Sequence, residues 1–189
     1  VSRTSRMQGA ARRAKRLVPS ARMRKLRCLV DELSLPSGWR RDTLVAAVAE
    51  RRKRSITLVP VRAELVQYGH SGLWLAREHD DVVLYADHTS ARHATHIVCH
   101  ELAHMLLRHD EDPATRADAG DTRGPGSTDV LAEVRAAVPT AGTVRAVFGR
   151  SSYSDRQEYD AELLATLVMS TMRSHGSADR TASRIVGSL

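Results

Sequence analysis

The chain has 189 residues, 42% of them apolar and 27% charged, which is the balance of a globular domain; with aromatics at only 4%, the core must be built from Leu, Val, Ala and Ile. The net charge of +7 is concentrated: residues 1–27 carry ten Lys/Arg and no Asp/Glu, leaving nineteen basic against 22 acidic residues from Cys28 onward, which excludes a uniformly phosphate-binding surface. Cys28 and Cys99 form no CxxC pair or disulfide framework, and no apolar run reaches the ~18 residues of a membrane helix or makes a secretory signal, so a cytoplasmic setting without membrane contact is expected.

Residues 1–22, rich in Arg, Ser and Ala, read as a basic, disordered arm, open to two readings, a solvated tail or a weak contact to nucleic-acid phosphates. Leu26, Leu29, Val30 and Leu33 then recur at helical spacing until Leu35-Pro36-Ser37-Gly38 breaks the pattern. A second helix carries Leu44, Val45 and Val48 on one face and ends in Arg51–Arg54, where cations suit the helix dipole. Three strands follow at 56–61, 72–77 and 81–86, the last two as a hairpin, giving an α+β chain with a small, mostly antiparallel three-stranded sheet. The 81–86 strand is open to two readings, an edge that pairs with an extended peptide or an internal strand. A long helix is expected from about Ser90 to Arg108, a polar loop over 109–127, a helix at 129–138, and a last helix from an Asp155 N-cap to about Arg173 with Leu163, Leu164, Leu167 and Val168 as its apolar set. The domain proper is thus 23–175, with 176–189 as a tail.

The long helix carries His100-Glu101-Leu102-Ala103-His104. Residues four apart lie one turn above each other, so His100 and His104 can aim two imidazoles at one ion, and Glu101 is placed to act as general base toward water. His96 lies a further turn back, and three stacked imidazoles do not converge easily on one tetrahedral ion, so His96 reads as the partner of a carboxylate or of the outer shell. Cys99 is about 100° around the helix from His100 and reads as a small buried residue.

A catalytic zinc needs a third protein ligand and an open position. The last helix offers Glu158, with the longer reach, or Asp160, while Glu162 is placed to orient a histidine. Tyr153 and His175 are the available donors for an oxyanion. Two histidines and a carboxylate suit several divalent ions, manganese as well as zinc.

HELAHMLLRH at 100–109, followed by EYDAELLATLVM at 158–169, resembles the ImmA/IrrE-type metallopeptidases, and Gly72-Leu73-Trp74-Leu75 with its hairpin resembles their actinobacterial branch. The resemblance spans roughly residues 26–173. It implies a zincin-like core with an HExxH active-site helix, one zinc held by His100, His104 and Glu158, Glu101 as catalytic base, and a helix-turn-helix repressor as protein substrate. The chain departs from the family pattern in having Glu162 after Ala161 and Leu164 where an aromatic is usual. The alternative is a non-catalytic zinc-containing regulator that binds a protein partner or DNA; Glu101 argues against it, because a purely structural site has four protein ligands and no use for a base.

Overall fold

The computed structural model describes residues 20–62, 72–118, 144–149 and 152–173. The helix expected at 129–138, His175, and most of the arm and the C-terminal tail lie outside the described residues. The order is α1 (Ala21–Glu32), α2 (Arg41–Arg52), β1 (Ser55–Val61), β2 (Gly72–Arg77), β3 (Asp80–Ala86), α3 (Ala91–Leu106), a 3-10 turn at His109–Glu111, α4 (Pro113–Asp118), β4 (Val144–Phe148) and α5 (Asp155–Arg173). Among the described residues the fold is therefore mixed α+β.

The sheet has four described strands where three were expected, in the order β1-β3-β2-β4. β1 runs parallel to β3, whereas β2 pairs antiparallel with both β3 and β4. The missed strand, β4, is five residues long and finds its partner far away in sequence, so its local pattern is too short to announce it. What holds it is a tertiary contact: Phe148 packs on Trp74 with ring centroids 4.7 Å apart. β3 is the internal strand of the two readings, flanked by β1 and β2. β1 pairs only with β3 among the described residues, and Pro60, which has no N–H to give, sits in it as an edge position allows.

Side chains alternate between two apolar clusters across the sheet. Trp74, Val83 and Phe148 face the helices and join Leu26, Leu44, Val98, Leu102 and Leu164 in the main core. Leu75, Val82 and Leu84 face the opposite way with Val59 and Val61. Eleven of the sixteen residues of α3 are buried, Thr95, Glu101 and His104 among them, so α3 is the central helix. α5 packs along it. The buried positions of α5 are Ala161, Leu164, Ala165, Val168 and Met169, a stripe shifted from the expected set, in which Leu163 and Leu167 are only partly buried.

α1 starts one residue before the expected end of the arm, capped by Ser20, whose hydroxyl accepts from the Met23 N–H at 3.2 Å. α2 ends at Lys53, whose φ of 55° turns the chain left-handed into β1. Its last residues feed a polar hub. Asp81, fully buried, accepts from Trp74 Nε1 at 3.1 Å, Arg54 Nε at 3.1 Å and Arg52 Nε at 3.4 Å. Arg54 also donates to the carbonyls of Arg77 and Asp80, which clamps the two-residue turn of the hairpin.

Candidate metal centre

α3 is set in register by Ser90, whose hydroxyl accepts from the His93 N–H at 3.2 Å. α5 is set by a reciprocal cap one residue earlier than expected: Ser154 Oγ accepts from the Gln157 N–H at 3.4 Å and Gln157 Oε1 accepts from the Ser154 N–H at 2.9 Å. Asp155 is thus the first helical residue, and Ser154 is the cap. With both starts fixed and small residues at Ala161 and Ala165 inside the α5 stripe, the first turn of α5 meets the middle of α3.

His100, His104 and Glu158 come together there as a group able to hold a metal ion. His100 Nε2 and His104 Nε2 stand 3.1 Å apart. Glu158 places one oxygen 3.5 Å from the first and its other oxygen 3.4 Å from the second. Donors about 2.0–2.1 Å from a common ion at tetrahedral angles stand about 3.3 Å from one another, close to these separations. Two imidazole nitrogens pointed at each other also need a proton or a cation between them, and a carboxylate beside them favours positive charge of either kind. No fourth Asp, Glu, His or Cys joins the group among the described residues.

Of the two carboxylates considered for the third position, Glu158 is the one in the group. Asp160 is turned to α1, where it is paired with Arg22, whose guanidinium also lies 4.7 Å from the centroid of the Tyr159 ring. Glu162 stands outside the group and bridges two histidines, 3.3 Å from His96 Nε2 and 3.5 Å from His100 Nδ1. His96 is thereby a carboxylate's partner, as its position one turn back suggested.

Glu101 is buried on the sheet side of α3. A Cβ built on Gly72 would stand 2.6 Å from Glu101 Oε1 and 2.7 Å from Ile97 Cγ2, so β2 begins on glycine because the carboxyl lies against its backbone. Burial pushes the Glu101 carboxyl up to about 7, against the pull of the His100 ring and with help from Glu158. Burial alone would lower His100, but its contacts with Glu158, Glu101 and Glu162 outweigh that and hold it above its ordinary value. His104, fully buried, is pushed down to about 2 by burial first and then by the His100 and His109 rings, which keeps it neutral.

Three neighbours complete the surroundings. His109, to which the sequence reading gave no role, places Nδ1 2.9 Å from His104 Nδ1. Tyr153 stacks on the His104 ring with centroids 3.7 Å apart, and its buried hydroxyl has no hydrogen-bond partner among the described residues. Cys99 is buried away from the group, its thiol pushed up to about 12 by burial. The signal for Gly72 was a glycine opening an otherwise apolar strand. For His109 no periodicity helps, since it lies beyond the helix end. No described helix is long and apolar enough to cross a membrane. Comparison with protein-family models, curated proteins and solved structures found no match to this chain.

Proposed function

We propose that the chain is a metal-dependent endopeptidase of the ImmA/IrrE type, with a zincin-like active site on α3 and α5. The observation that carries this reading is the pairing of a three-donor group, His100, His104 and Glu158, with a buried carboxyl, Glu101, held beside it against the backbone of Gly72. A structural site has four protein donors and no adjacent base, whereas three donors and a base suit hydrolysis. Zinc is the ion assigned, from two imidazoles and one carboxylate, with manganese as the ion those donors also accept. A divalent ion bound there supplies Lewis acidity, which makes water nucleophilic near neutral pH and polarises a carbonyl.

The chain's own residues supply the rest. Glu101 takes the proton from the attacking water at its carboxylate, and an affinity for protons near neutrality suits it to pass that proton on to the leaving amine. Glu162 holds His100 from its Nδ1 side, and the Tyr153 ring covers one face of His104 and excludes water from it. The substrate class proposed, from the family resemblance, is a helix-turn-helix repressor, with a cytoplasmic setting.

The test is Glu101→Gln, an isosteric change that leaves the three donors in place. The protein is loaded with zinc and incubated with a helix-turn-helix repressor as the candidate substrate, and products are read by mass spectrometry. The expected result is unchanged metal content with cleavage lower by about 10²–10⁴-fold. A variant that cuts at the wild-type rate removes Glu101 from the mechanism, and a wild type that binds metal but cuts nothing favours the non-catalytic regulator.

A further inference from the structure

His104 has little freedom left once its ring is followed atom by atom. Nε2 faces His100 Nε2 and one oxygen of Glu158, Tyr153 covers a ring face, and no part of the residue reaches solvent. The remaining polar atom, Nδ1, points at His109 Nδ1 across 2.9 Å. Two ring nitrogens at that distance share one proton, and which ring carries it decides which nitrogen of His104 has its lone pair free.

His109 does not reach this place by helical periodicity. α3 ends at Leu106, Arg108 takes a left-handed φ of 58°, and the chain folds back through the 3-10 turn His109–Glu111 to bring His109 beneath His104. A left-handed conformation at a residue other than glycine is unfavourable and persists where surrounding contacts over-determine it. Those contacts come from elsewhere in the chain. Arg52 donates through Nη1 to the Met105 carbonyl at 2.9 Å and reaches Asp110 Oδ2 with Nη2 at 3.4 Å, while Arg116 Nε donates to the Asp110 carbonyl at 2.6 Å. The turn is fastened on both sides of His109.

We infer that His109 is a positioning residue of the metal centre: its Nδ1 accepts the Nδ1–H of His104, which locks His104 in the tautomer whose Nε2 is free to bind the ion. An imidazole thus fills the role that a carboxylate or carbonyl plays behind most metal-binding histidines. The arrangement is asymmetric across the site, since His100 is backed by the exposed carboxylate of Glu162 and His104 by a buried imidazole. The inference rests on the metal-centre reading above.

The experiment compares wild type, His109→Leu and His109→Asn, with zinc affinity measured on the metal-free proteins by chelator competition in the absence of any substrate. Leu keeps apolar volume and removes the acceptor, whereas the Asn side-chain oxygen can stand near the place of Nδ1. The expected result is zinc affinity about 10–100-fold weaker in His109→Leu and restored to within about threefold of wild type in His109→Asn. Imidazole 15N spectra of metal-free wild type give a second readout that needs no variant to fold, and His104 should carry its proton on Nδ1 before any ion binds. Equal affinity in His109→Leu and wild type, or a His104 proton on Nε2 in the metal-free protein, overturns the positioning role while leaving the metal centre intact. A wild type without measurable zinc affinity overturns the metal centre itself.

Discussion

At the scale of single residues, the site is decided by close approach. Glu101 and Gly72 come from different elements, yet the carboxyl lies where a side chain on Gly72 would be. Gly72→Ala therefore displaces the Glu101 carboxyl and presses on Ile97, while His100, His104 and Glu158 stay where they are. Zinc affinity is expected to hold and turnover to fall by about 10²-fold, the scale of a roughly 1 Å misplacement of a reacting group. Steady-state cleavage read alongside chelator competition separates the two, and a loss of zinc affinity equal to the loss of turnover would sink the argument. HExxH spacing was legible residue by residue because helical geometry alone puts His100 and His104 one turn apart. Spacing alone left Glu158 and Asp160 open, because both lie in the same turn of α5; the family resemblance implied Glu158, and the pairing of Asp160 with Arg22 on α1 keeps Asp160 out of the group.

At the scale of elements, most helices and strands were legible, as was the β2–β3 hairpin, and the pairings between elements remote in sequence were not. α1, α2, α3, β2 and β3 lie within a residue or two of where periodicity and turn residues put them. β4 was missed because its stability lies in Phe148 against Trp74 and in the ladder with β2. The α2 C-terminus, the β2–β3 hairpin and the end of α3 are tied by Asp81, with Arg52 also stacked 4.9 Å from the Trp74 ring centroid. Asp81→Ala leaves both guanidinium groups without this carboxylate and Trp74 Nε1 without its acceptor. The expected loss is about 3 kcal/mol, the low end for a broken buried pair because Arg54 is part exposed and can turn to water. Urea unfolding followed by far-UV circular dichroism measures it, and a loss under about 1 kcal/mol would mean the hub is no more than a surface ion pair.

At the scale of the whole molecule, the two apolar clusters enclose the sheet and α3, and of His100, His104 and Glu158 only His104 is fully buried, stacked on Tyr153 of the main cluster. The metal-free chain is accordingly expected to fold, unlike a small zinc finger whose stability comes from its ion. Free zinc at 100 times its dissociation constant adds about 2.7 kcal/mol and raises Tm by about 5–10 °C, and His104→Ala abolishes the increment. Calorimetry with and without chelator checks this. A metal-free chain lacking a cooperative transition would identify a structural site instead.

What the amino-acid sequence determined by itself is everything governed by local repetition. That covers the helices with their 3.6-residue period, the alternating strands, and two histidines and a glutamate spaced for one helix face. What only the tertiary structure decided is everything that depends on which elements meet. It brings Glu158 across from α5, sets Gly72 against Glu101, and returns His109 beneath His104 through a left-handed turn held by Arg52. The physical reason is that spacing along a chain fixes direction within one element, while the distance between elements is set by packing of side chains remote in sequence.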